Sequence, residues 1–212
     1  MTMIKTNENG RSMIEMLGVL AIIGVLSVGG IAGYSKAMNK FKTNKVADNV
    51  SMLVANIKTL YAQQNTYNGL ENKTAISMGV VPDELGTDAV SGTLTNAFSG
   101  PVYIAASDST GSDDDKAFTI VFTKLSREAC ISLVTNDWGS GYSSGLIAIE
   151  ATGADMTTHG DLDAVKIGDP GTANKIATPG GKTQPVPMAV VAAAKACACA
   201  SGNTCSIAWK YY

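Results

Sequence analysis

The sequence predicts an α+β protein, in which one long N-terminal helix continues into a C-terminal globular domain built on an antiparallel sheet with covering helices. Three observations carry this expectation. After Glu15 no charged residue occurs until Lys36. From Val46 onward apolar residues recur at helical spacing, and no proline interrupts Arg11 to Gln64. Beyond Asn65 the chain breaks into short apolar runs separated by Gly, Asn, Asp, Ser and Pro, which is the pattern of strands and turns.

The apolar stretch comes first. Met16 to Ser35 is uncharged, and about 20 residues at 1.5 Å each span roughly 30 Å, the hydrocarbon thickness of a bilayer. A membrane helix over about residues 13–35 follows. Ahead of it stands Gly10-Arg11-Ser12-Met13-Ile14-Glu15, at the end of a short polar segment, residues 1–10. A secretory signal is cut behind its apolar run. Here the candidate processing site, the glycine that ends the polar segment, lies in front of the run, so the helix stays in the product. A carboxylate at the apolar edge is costly and calls for a partner, which singles out Glu15. Gly18, Gly24, Gly29, Gly30 and Gly33 fall inside the span, where small residues permit close helix contact.

Past Lys36 the helix turns amphipathic without stopping. Val46, Val50, Leu53, Ile57 and Leu60 follow steps of four and three on one face, with Lys42, Lys45, Asp48, Asn49, Asn56 and Lys58 around the rest. The predicted helix therefore covers residues 11–64, on the order of 75 Å. The globular domain takes residues 65–212. A connecting region to about Gly100 carries the turn signals Asn68-Gly69, Pro82-Asp83, Ser91-Gly92 and Ser99-Gly100-Pro101. Strands are expected at Val102 to Ala105, Ala117 to Thr123, Leu146 to Glu150 and Ser206 to Tyr212. Ser126 is placed to cap a helix running to about Thr135 with Glu128 in its first turn, and a second helix is expected from about Pro187 to Lys195.

Sixteen basic and eighteen acidic residues give a net charge of -2 with no basic block, which excludes nucleic acid as an expected partner. The four cysteines, Cys130, Cys197, Cys199 and Cys205, all lie outside the apolar span, and an even count there fits an oxidising compartment. Two disulfides are the leading reading. Either Cys199 joins Cys205 across Ala200 to Thr204 and Cys197 joins Cys130, or Cys199 joins Cys130 and Cys197 joins Cys205. Zinc is the rival reading, but Cys197-Ala198-Cys199 lacks the spacing of a zinc knuckle, so no metal and no cofactor is expected.

Catalytic constellations are missing. His159 is the single histidine and sits in a loop-like stretch; Gly181-Lys182-Thr183 lacks the earlier glycine of a phosphate loop, whose place Ile176 takes. Asp113-Asp114-Asp115 with Asp108 lacks the spacing of a calcium loop and reads as a solvated turn. Trp138, Trp209, Tyr211 and Tyr212 could together form a binding face, but the apolar pattern around the two tryptophans reads as sheet core. No enzyme activity is expected.

The run from Gly10 to Glu15 together with the uncharged helix resembles the class III signal of type IV prepilins. Ala117-Phe118-Thr119-Ile120, Leu125-Ser126-Arg127-Glu128-Ala129-Cys130 and Ile147-Ala148-Ile149 look like the toxin-coregulated, type IVb kind. The resemblance implies the type IV pilin fold, cleavage after Gly10 by a prepilin peptidase, N-methylation of the new terminus at Arg11, and pairing of Glu15 with the N-terminal amine of a neighbouring subunit. Arg11 departs from the family's usual phenylalanine. In such pilins one disulfide ties the helix after Ser126 to a cysteine before the last strand, which here bounds residues 130–205. The implied function is a structural subunit of a helical homo-oligomeric filament, held first in the inner membrane as a single-pass precursor and then carried by an assembly platform to the cell surface. A type II secretion pseudopilin and an adhesive or ligand-binding tip subunit are the alternatives.

Overall fold

The computed structural model describes residues 9–109, 114–139, 144–157, 162, 165, 175–177, 187–199 and 205–212. The chain forms two compact units, Met1–Phe41 and Lys42–Tyr212. Helix α1 (Asn9–Tyr61) is continuous over 53 residues. It begins ahead of Gly10 and ends three residues short of Gln64.

In the first unit, apolar side chains of α1 stand in the open: Met13, Ile14, Val25, Leu26, Val28 and Ile31 are each at least two-thirds exposed. A window of this segment has a mean hydropathy of 2.2, and the helix is long and apolar enough to cross a membrane. Lipid or other helices are the environments that would cover such a surface.

In the second unit the predicted stripe meets the core. Val46, Val50, Leu53 and Ile57 are fully buried, each contributing about 1.5–3 kcal/mol through burial. Leu60 departs from the expectation and is 40% exposed. The stripe closes instead on Tyr61, whose ring lies 5.2 Å from that of Tyr67 and so joins an aromatic row through Phe118 to Tyr211.

The sheet follows in chain order. After α2 (Asn72–Ser77) come β1 (Gly86–Asp88), β2 (Thr93–Thr95), β3 (Pro101–Ser107) and β4 (Ala117–Leu125). Then come α3 (Arg127–Val134), β5 (Leu146–Thr152), β6 (Lys175–Ala177), α4 (Val190–Ala196) and β7 (Cys205–Tyr211). Every pairing is antiparallel, in the order β1-β2-β3-β4-β7-β5-β6. The last strand is thus central, with Ile120 and Ile149 both opposite Trp209. One sheet face meets α1, α3 and α4 through Phe118, Ile120, Phe122, Ile207 and Trp209; Met156, Leu162 and Val165 pack with residues of the other face, Val121 and Ala208. Coverage of both faces explains why β4 reads as an apolar run rather than an alternation.

Four elements were not anticipated: α2, β1, β2 and β6. The hairpin of β1 and β2 turns at Asp88, whose carboxylate accepts from the amides of Val90 and Ser91 at 3.0 and 3.3 Å, with Gly92 at φ 70°. These strands are three residues long and contain Gly, Asp and Thr, so periodicity had nothing to register. Helix α2 is held from outside. Asn72 donates to the Val102 carbonyl at 2.8 Å and accepts from the Ile104 amide at 2.7 Å, replacing a strand at the edge of β3.

A further fixed point is Gly100. Asn96 bridges it to β4 by accepting from the Gly100 amide at 3.2 Å and donating to the Thr123 carbonyl at 2.9 Å. A Cβ on Gly100 would fall on that carbonyl, 2.6 Å from its carbon. Gly100→Ala is therefore expected to lower the unfolding free energy of the head by about 1–3 kcal/mol, read from chemical denaturation. Unchanged stability would mean that the β3–β4 junction yields freely.

Candidate functional site

Three regions carry chemistry, two of them singled out in the sequence. The first is the start of α1, where Gly10 and Arg11 already have helical backbone and Glu15 lies exposed at the edge of the uncharged run. Beyond the adjoining helix backbone and chain neighbours, none of the five glycines from Gly18 to Gly33 has a described atom within 4 Å of where a Cβ would stand, so this surface offers close approach to another helix.

The second is the cysteine cluster. Ser126 caps α3 by accepting from the Ala129 amide at 3.2 Å, with Glu128 in the first turn, and this fixes Cys130 against the core. Cys197 ends α4, its amide donating to the Ala193 carbonyl at 2.8 Å. Cys130 is bonded to Cys197 and Cys199 to Cys205, with Cα separations of 5.9 and 5.3 Å. The first of the two open pairings is the one in the structure. Cys205 opens β7 opposite Leu125, so the long-range bond clamps α3 and α4 together beside the central strand. A Cβ on Gly153 would come 2.6 Å from the Ala198 carbonyl oxygen, so the Cys197–Cys199 turn runs directly over the end of β5. The loop from Ala200 to Thr204 lies outside the described residues.

The third is the polar groups that the apolar pattern hid. Lys58 is half-buried; it donates to the Ser144 carbonyl at 3.0 Å, and its Nζ lies 5.3 Å from the Tyr211 ring centre. Desolvation holds the Lys58 ammonium below the usual lysine range and pushes the Tyr211 hydroxyl well above the usual tyrosine range. Lys210 is fully buried and donates to the Leu162 carbonyl at 2.8 Å. In sequence it alternates as a solvent-facing residue would, whereas in the fold Met156, Leu162 and Val165 cover that face of the sheet.

The remaining candidates fall as follows. The Asp108 carboxylate accepts from the Asp114 and Asp115 amides at 2.8 and 3.2 Å, and Asp114 accepts from the Ser109 amide at 2.8 Å, as in a self-bonded turn. Asp113, His159 and Gly181-Lys182-Thr183 lie outside the described residues. Trp209 is fully buried, with Trp138 packed edge-on at 5.1 Å and donating to the Leu133 carbonyl. A cleft of about 390 Å³ beside α1 is lined by Asp48, Asn136, Asp137 and Trp138 among others, with no histidine, cysteine or lysine among the described residues of its wall.

Comparison with known proteins decides the family, because the family model described as PilS N terminal matches residues 40–209. The chain belongs to this family of type IV pilins. These are structural proteins, not enzymes. The pilin is 27% identical over 138 residues to the major structural subunit of bundle-forming pilus from Escherichia coli O127:H6 (strain E2348/69 / EPEC), covering 65% of this chain and 69% of the relative. It is 27% identical over 158 residues to the toxin coregulated pilin of Vibrio cholerae, covering 71% of this chain and 66% of the relative. In fold it resembles the crystal structure of TcpA, a type IV pilin from Vibrio cholerae El Tor biotype. The TM-score is 0.55 at 15% identity, over 81% of this chain and 99% of that one. That likeness agrees with the α+β architecture of a long N-terminal helix and a C-terminal antiparallel sheet.

Proposed function

We propose that this pilin is a structural subunit of an extracellular type IV pilus, a helical homo-oligomer. It is first held in the inner membrane by α1, cleaved after Gly10 by a prepilin peptidase, methylated at Arg11, and passed through an assembly platform into the filament. The observation that carries this reading is a single 53-residue helix whose uncharged, exposed stretch is bounded by Glu15, in a chain of the pilin family. Such a stretch suits both environments a pilin occupies, since lipid and neighbouring helices each cover apolar side chains without water. Glu15 in this reading neutralises the new amine at Arg11 of an adjacent subunit, a favourable exchange only where both charges leave water together. The relatives named as a major pilus subunit and as a pilin favour the pilus over a secretion pseudopilus or a tip subunit.

Processing is the test. Mass spectrometry of the mature subunit is expected to find its first residue at Arg11, and Gly10→Val is expected to leave full-length precursor in the membrane, because a side chain there obstructs the peptidase. A mature terminus near Ser35, behind the apolar run, would overturn the proposal.

A further inference from the structure

We propose that Cys199 is the point at which external thiols enter the folded head, and that Cys205 relays the exchange to the buried Cys130–Cys197 bond. Two observations meet here. The sulfurs of Cys130, Cys197 and Cys205 all lie within 4.8 Å of one another, although Cys205 is bonded to Cys199. Burial then separates the four: Cys130, Cys197 and Cys205 are fully buried, whereas Cys199 is only partly so. A thiolate arriving from solvent therefore meets one sulfur before the others, and access decides which disulfide opens first.

The steps balance without an oxidant or reductant. An incoming thiolate attacks Cys199 Sγ, forming a mixed disulfide and expelling the Cys205 thiolate. Cys205 Sγ then attacks Cys197 Sγ, forming Cys197–Cys205 and expelling the Cys130 thiolate. Cys130 in turn attacks Cys199, forming Cys130–Cys199 and returning the external thiolate. No electrons are gained or lost overall, and the product is the other pairing that the sequence left open. The partner class is a small thiol or the reactive cysteine of a thiol–disulfide oxidoreductase, and the exchange does not depend on what the filament does.

The test uses the full-length pilin in detergent micelles, folded, with reduced glutathione at mildly alkaline pH. Samples are quenched by acid, alkylated and mapped by fragmentation mass spectrometry. The first glutathione adduct is expected on Cys199, followed by opening of Cys130–Cys197 with Cys197–Cys205 as a trapped species. In Cys199→Ser/Cys205→Ser, opening of Cys130–Cys197 is expected to slow roughly tenfold or more, since its own sulfurs are closed to solvent. Circular dichroism is to check that this variant is folded; if it is not, the order of adducts in the unaltered pilin decides alone. A first adduct on Cys130, Cys197 or Cys205, no adduct on the folded protein, or wild-type opening rates in the folded double variant would each overturn the relay.

Discussion

Replacing Glu15 by valine is expected to give a pilin that is still cut after Gly10 and still held in the membrane, yet fails to appear in filaments. Membrane retention rests on the uncharged stretch behind Glu15, which the substitution lengthens rather than shortens. In the proposed processing, cleavage rests on Gly10, five residues away and untouched. Assembly is different, because the free amine created at Arg11 would enter a dry helix bundle with no carboxylate to meet it. Removing one partner of a buried ion pair costs about 3–5 kcal/mol per subunit, and a filament repeats that cost at every subunit. The readout is filament number by electron microscopy, set against processed pilin in the membrane by immunoblot. Normal filament numbers with Glu15→Val would remove this carboxylate from assembly while leaving the membrane reading intact. Glu15→Asp adds a second arm: a charge retained on a shorter stem should restore part of the assembly that valine removes.

What could be read from the sequence divides along a physical line. Elements whose own residues determine them were legible. The α1 stripe from Val46 to Ile57 repeats often enough for its period to show, and Ser126 caps α3 through an oxygen three residues from its donor. The strands β3, β4, β5 and β7 were each found within a few residues, since their apolar runs are long enough to stand out. Elements determined by something distant were not legible. Helix α2 depends on an asparagine reaching β3 and β6 on pairing with β5, while the β1–β2 hairpin, though its Asp88 turn is local, has strands of three residues that are too short to show a period. The same division runs through the site. Gly10, Arg11 and Glu15 could be proposed from sequence because a processing signature is local by nature. Lys210 was missed because its strand is covered by residues distant in sequence, among them Leu162, 48 positions away. The cysteine pairing stayed open for a related reason, since three of the sulfurs crowd into one place and loop length alone does not rank the two arrangements.

Cys130→Ser is expected to destabilise the head far more than Cys205→Ser. The Cys130–Cys197 bond spans 67 residues and the Cys199–Cys205 bond spans 6. In the chain-entropy model these closures correspond to about 4 and about 2 kcal/mol. Position adds to length. Cys130 and Cys197 hold α3 against α4 over the helix-covered face of the sheet, so losing their bond frees two elements, whereas the local bond fixes only the entry to β7. Subunit abundance in cells and the denaturation midpoint of the purified pilin should both fall in the order wild type, Cys205→Ser, Cys130→Ser. One complication follows from the crowding of the sulfurs, because Cys130→Ser leaves the Cys197 thiol beside Cys205 and able to compete with Cys199 for it. Cys130→Ser/Cys197→Ser removes that competition and should show the loss of the long-range bond alone. If the double variant is as stable as Cys205→Ser, the clamp between α3 and α4 contributes little, and packing of Cys130 within the core would be its remaining role.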